Sequence, residues 1–127
     1  MSGCPVGCTF CGTGSKFVRN LKASEIIEQI NIVLKDKNLI ADINQKCEKL
    51  QFMFMSMGEP MLNWNEVEKA IIELNKRFNN AQLLLSTIGC DNDMVFSKII
   101  ALSKKIDKPI WCRWLVKARE YISTFPF

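Results

Sequence analysis

The chain has 127 residues, 48% hydrophobic and 24% charged, which suits one soluble domain burying roughly two thirds of its unfolded surface. Its longest apolar runs are too short to cross a bilayer, and the start of the chain shows no signal peptide, so a cytoplasmic protein with no membrane partner is expected. Seventeen Lys and Arg against thirteen Asp and Glu give a net charge of +4, compatible with an anionic partner but too mild to identify one.

The first element is a loop with the spacing Cys4-x-x-x-Cys8-x-x-Cys11, set among Gly3, Pro5, Gly7, Gly12 and Gly14. In a reducing compartment, six cysteines point to metal binding or catalysis more than to a disulfide framework. Cys47, Cys90 and Cys112 show no close pairing; Cys90 reads as a small apolar residue. Three thiolates on an iron-sulfur cubane would leave one iron without a protein ligand, open to a substrate. Zinc is the competing occupant, but a structural site normally takes four ligands and the chain has no histidine. Electron-transfer ferredoxin loops use a different spacing and a fourth cysteine.

After this loop, Ser24 can cap a helix whose apolar stripe is Ile26, Ile27, Ile30, Val33 and Leu34. A polar, linker-like segment runs from about Asp36 to Glu48. Leu50 to Met55 is an apolar run too short for a helix, so it predicts a buried strand, stopped by Gly58-Glu59-Pro60. Asn63 can cap the next helix, with Glu66 reaching back to it and Val67, Ile71, Leu74 and Phe78 inward. Leu83 to Ser86 predicts a second buried strand, ended by Thr87-Ile88-Gly89. Asp91 or Asn92 then caps a third helix with Val95, Ile99, Leu102 and Ile106 inward, and residues 109–116 predict a last strand. This alternation predicts an α/β fold of right-handed parallel β/α units, in a barrel or an open sheet. Functional groups in such folds gather at the carboxyl ends of the strands. The cysteine loop, Gly58-Glu59-Pro60 and Ser86-Thr87-Ile88-Gly89 are therefore expected to open onto one face. Taken singly, Gly58-Glu59-Pro60 reads as a turn after a strand, Ser86 as a strand-end hydroxyl, and Lys16, Arg19 and Lys22 as a solvated surface before an RNA phosphate contact.

Together these segments resemble the radical S-adenosylmethionine (SAM) enzymes, and within them the RlmN and Cfr group of large-subunit ribosomal RNA adenine methyltransferases. The resemblance rests on residues 3–14, Phe17-Val18-Arg19-Asn20-Leu21, Ser24-Glu25-Ile26-Ile27, Met57-Gly58-Glu59-Pro60-Met61-Leu62-Asn63 and Leu85-Ser86-Thr87-Ile88-Gly89. The cysteine loop is characteristic of the superfamily, and the later two segments are more particular to the group. The resemblance implies that Cys4, Cys8 and Cys11 bind a [4Fe-4S] cluster as metal ligands. It implies that Gly58 and Glu59 receive the amino group of SAM and that Ser86 contacts SAM as well. Reduction of the cluster would split SAM into methionine and a 5'-deoxyadenosyl radical. For the full-length parent it implies methylation at C2 or C8 of an adenine in ribosomal or transfer RNA, with a reductase as electron donor.

Where the sequence departs from the group, the expectations narrow. Members place a strand just before the cysteine loop and a small helical domain ahead of it, and only Met1, Ser2 and Gly3 precede Cys4 here. The methyl-carrying cysteine beyond the barrel and its partner upstream of the cluster have no counterpart. Cys112, between Trp111 and Arg113, lacks the context of either, and the Ser-Leu-His segment expected after Pro109 is missing. The chain is thus expected to be a single partial radical SAM core domain over residues 1–127, with a cluster loop at 1–14 and a divergent tail from about 109. Its fold would be a partial barrel of about three to four parallel β/α units, first strand and later strands missing. No catalytic residue is assigned. Two further readings stand beside this one: a degenerate, non-catalytic iron-sulfur or metal-binding remnant, and a radical SAM enzyme with a non-RNA substrate.

Overall fold

A computed structural model describes residues 1–14, 16–36, 49–89 and 92–114. A short strand β1 (Ser2–Gly3) pairs antiparallel with β2 (Phe17–Arg19), and the cysteine loop hangs between them. Helix α1 (Ala23–Asp36), strand β3 (Gln51–Phe54), a 3-10 turn (Pro60–Asn63), helix α2 (Trp64–Arg77), strand β4 (Gln82–Thr87), helix α3 (Asn92–Ile106) and strand β5 (Ile110–Trp114) follow. Strands β3, β4 and β5 form one parallel sheet in that order, with Phe52 beside Leu83 and Leu85 beside Cys112. The mixed α/β class and the parallel pairing agree with the alternation in the sequence. The β1 and β2 pairing is an addition: strands of two and three residues carry too little periodicity to be seen in advance.

The helix starts depart from expectation in an instructive way. Helix α1 begins at Ala23, and Ser24, expected as its cap, sits exposed inside the first turn. The Lys22 carbonyl accepts from the N–H groups of Glu25 (3.0 Å) and Ile26 (3.1 Å), while the Glu25 carboxylate accepts from Lys22 N–H at 2.9 Å. That is half of a capping box, with Lys22 in the cap position. At α2 the expected box is not made. Asn63 is the cap residue, but its side-chain amide donates to the Leu21 carbonyl at 2.9 Å. Glu66 does not reach back to Asn63: its Oε1 accepts from Lys69 Nζ of the same helix at 2.6 Å and its Oε2 from Ala23 N–H at 2.8 Å. The first N–H groups of α1 have no intrahelical acceptor, so a carboxylate from a neighbouring helix satisfies one of them and ties the two helix starts together.

Arg19 and Glu25 form a two-toothed ion pair, Nη2 to Oε1 at 2.6 Å and Nη1 to Oε2 at 2.8 Å. The guanidinium considered for RNA phosphate is thus engaged within the chain. The Arg19 hydrogen bonds and then the Lys22 N–H lower the Glu25 carboxyl from 4.5 to about 2. A carboxyl depressed on folding stabilises above its unfolded value and loses that contribution as pH falls through the folded value. The N-terminal turn of α1 is therefore expected to loosen between about pH 4.5 and pH 2. Amide exchange at Glu25 and Ile26 checks this, and Glu25→Gln removes the pH dependence. The pair is exposed, so the effect weakens with salt.

The core lies between the sheet and the helices. Phe52, Leu83 and Leu85 face Val67, Ile71, Leu74 and Phe78 of α2 and its end, Ile99 and Leu102 of α3, and Leu34 of α1. Ile26, Ile27, Ile30 and Ile106 pack at its margin. Val33, expected in the α1 stripe, is 58% exposed. It stands about 100° around the helix from Leu34, and α1 rests mainly on α2, which covers a narrower stripe than a sheet would. Along β4 the burial alternates, with Leu83, Leu85 and Thr87 buried and Leu84 and Ser86 half-buried on the opposite face. That opposite face is open, with Met53 50% and Trp111 59% exposed. The linker with Cys47, the Cys90 and Asp91 readings, the Asn92 and Val95 side chains and the tail from 115 lie outside the described residues. Among the described residues no helix is long and apolar enough to cross a membrane.

Candidate functional site

The chain between β3 and α2 turns at Gly58 (φ +89°), a conformation glycine adopts without penalty, and delivers Glu59 to the carboxyl end of the sheet. Glu59 begins the 3-10 turn, and Pro60 occupies the next position, where its missing N–H costs nothing. The Glu59 side chain is 3% exposed. Its Oε1 accepts from Thr87 Oγ1–H at 2.6 Å and from Met61 N–H at 3.0 Å, and its Oε2 accepts from Ile88 N–H at 2.9 Å. Thr87 Oγ1 in turn accepts from Gly89 N–H at 3.0 Å. One carboxylate thus laces the end of β3 to the end of β4, with two of its bonds charge-assisted by backbone N–H groups. Gly58 and Glu59 also line a cleft of about 380 Å³ along the β3 edge, bordered by Met53, Met55, Met57 and Ile30. The Met1 side chain lies so close to Gly58 that a Cβ there would meet it at 2.7 Å.

The cysteine loop reaches the same end of the sheet. Cys4, Val6 and Ile88 form a small buried cluster with Cys8 packed against it, so the residue that donates to Glu59 also anchors the loop. Within the loop, Cys11 N–H donates to the Cys8 carbonyl (3.0 Å) and Gly14 N–H to the Cys11 carbonyl (3.3 Å). Cys4 is buried, Cys8 and Cys11 are half-buried, and all three thiols are free. Loss of hydration, then the charges of Cys4 and Cys11, and lastly that of Glu59, push the Cys8 thiol up. Cys4, Cys8, Cys11 and Glu59 therefore share one electrostatic neighbourhood.

Three thiols on one loop, the Cys8 thiol pushed up by burial and its neighbours' charges, form a donor set that a cationic centre would suit. Among the described residues no three or more His, Cys, Asp or Glu groups converge on a single-ion site. A cluster asks for less convergence, because each thiolate ligates its own iron. In donor type and number the three thiols suit a cluster with one iron left open.

No family model matches the chain. The chain is 44% identical over 93 residues to "Probable dual-specificity RNA methyltransferase RlmN" of Pseudothermotoga lettingae, covering 68% of this chain and 24% of that protein. The protein of the same description from Thermosipho melanesiensis is 40% identical over 107 residues, 80% of this chain and 28% of its own length. That from Microcystis aeruginosa is 44% identical over 90 residues, 68% of this chain and 24% of its own. Over most of its length the chain is a relative of RlmN. It spans about a quarter of these curated RlmN proteins.

The RlmN-like segments meet in space as follows. Gly58, Glu59 and the loop carrying Cys4 and Cys8 converge through Ile88. Ser86 lies one residue short of this network, half-buried on the open face of β4 and beside Arg113 of β5. Adjacent strand residues point to opposite faces, so it is Thr87, not Ser86, that binds Glu59. The sequence presents Thr87 only as part of the Thr87-Ile88-Gly89 strand end. The usable signal is a hydroxyl two residues before a Gly, able to accept from the N–H two residues on, as it does from Gly89. Cys112 is exposed on β5, in register with Leu85.

Proposed function

We propose that this chain is part of a radical SAM enzyme whose parent methylates adenine in ribosomal or transfer RNA. In this reading Cys4, Cys8 and Cys11 hold a [4Fe-4S] cluster, while Gly58, Glu59 and Ser86 bind SAM. The convergence of the cysteine loop and the Glu59 network on Ile88 carries the reading: Cys4, more than eighty positions from Ile88, and Glu59, 29 positions from it, meet at one carboxyl end of a parallel sheet. The described part of the fold supports a partial β/α barrel as a single core domain. Parallel sheets are ordinarily covered on both faces, and among the described residues Met53 and Trp111 stand exposed on one of them, which suits one wall of a larger barrel. A reductase would serve as electron donor, and the cytoplasm is the compartment that keeps these thiols reduced.

When bound, the cluster supplies one-electron cleavage of SAM. The chain's own part is placement. Oε2 of Glu59 keeps a lone pair beyond its bond to Ile88 N–H, able to accept from the SAM amino group. The buried Cys4, Val6 and Ile88 cluster walls the cysteine loop off from the core side and limits water there. The test is anaerobic reconstitution with iron and sulfide, reduction, SAM addition and measurement of 5'-deoxyadenosine. Formation by the native chain and loss of at least about tenfold in Cys8→Ala are expected. A reconstituted cluster that never yields deoxyadenosine overturns the catalytic reading for this chain, and bound zinc without cluster absorbance overturns the cofactor.

A further inference from the structure

The geometry points to Thr87 as the positioning residue for Glu59, the group that fixes which carboxylate lone pair faces a ligand amine. The inference rests on the assignment of Glu59 to SAM. Thr87 has one hydroxyl proton and is 1% exposed. Its oxygen is already an acceptor for Gly89 N–H at 3.0 Å. The proton therefore points to Glu59 Oε1, 2.6 Å away. Oε1 is then filled, since it also accepts from Met61 N–H. A carboxylate has about four acceptor positions. Three are taken by donors on the 3-10 turn and the end of β4, and the fourth lies on Oε2 beside the Ile88 N–H. Removal of the hydroxyl opens one acceptor position on Oε1 and leaves the carboxylate held by the Met61 and Ile88 N–H groups alone, about a last torsion that is broad and roughly two-fold. A ligand amine would then meet a carboxylate with a second open position and a looser orientation. Thr87 itself touches no ligand in this scheme.

The experiment is a double-mutant cycle on the reconstituted full chain, with the SAM dissociation constant as readout. Thr87→Val keeps the shape and removes the hydroxyl; Thr87→Ser restores it. Thr87→Val is expected to weaken SAM binding about ten- to a hundredfold, the worth of a hydrogen bond to a charged group. Thr87→Ser should bind like the native chain, and in the Glu59→Gln background Thr87→Val should add little. In the metal-free chain, Thr87→Val should also speed exchange of the Ile88 amide while Thr87→Ser does not. An equal loss in both backgrounds, or no loss while Glu59→Gln itself weakens binding, overturns the role of Thr87 alone. A native chain and a Glu59→Gln variant with the same SAM affinity overturn the Glu59 assignment and this inference with it. Unchanged Ile88 exchange in Thr87→Val overturns the hydroxyl's hold on Glu59.

Discussion

Glu59→Ala is expected to lower the unfolding free energy by about 3 to 5 kcal/mol, far more than deletion of an ordinary surface carboxylate. The substitution strands the Thr87 hydroxyl and the Ile88 N–H in a site where Glu59 itself is 3% exposed. Each buried donor left without an acceptor costs about 1 to 3 kcal/mol. The Met61 N–H loses its acceptor as well, and with it the start of the 3-10 turn. Glu59→Gln should cost less, about 1 to 2 kcal/mol, because the amide oxygen still accepts while its NH₂ faces a donor. Urea unfolding of the two variants measures the difference. If Glu59→Ala costs under about 1 kcal/mol, the carboxylate does not hold the strand ends together.

The second large effect is expected at Gly3. It adopts φ +77°, and a Cβ built there would lie 2.0 Å from the backbone oxygen of Lys16. The left-handed conformation alone costs about 1 to 2 kcal/mol for a residue with a side chain, and backbone cannot yield as a flexible side chain would. Gly3→Ala is therefore expected to break the Cys4 N–H bond to the Lys16 carbonyl, now 3.0 Å, and to unpair β1 from β2. Iron and sulfide content after reconstitution should fall by half or more, and the Cys4 amide should exchange quickly. Gly12→Ala is the internal comparison, because a Cβ there meets nothing within 4 Å; it should load iron like the native chain. Equal loading of Gly3→Ala and the native chain would show that the pairing does not shape the cysteine loop.

Legibility in the sequence followed the range of the interaction. The helix face of Val67, Ile71, Leu74 and Phe78 could be read directly, because periodicity alone selects it and all four are buried. Strands β3 and β4 were visible as short apolar runs bounded by turn residues. The caps were not, because Asn63 and Glu66 found partners forty or more positions away, Leu21 and Ala23. Local rules pair a capping side chain with its own helix, and tertiary neighbours can outbid them. The site shows the same division. Cys4, Cys8, Cys11 and Glu59 stood out by type and spacing, whereas Thr87 gains its role only when β3 and β4 lie side by side. Ser86 and Thr87 differ by one residue and by a whole face of the sheet.

The β1 and β2 clasp bears on the order of assembly. Its bonds join residues within the first nineteen positions, so the three sulfur donors can be gathered by local chain closure, on a far shorter timescale than the pairing of parallel strands. Ile88, just past the end of β4 and more than eighty positions from Cys4, packs on the loop only through the tertiary fold, so the loop's shape and its seat are made by contacts of very different range.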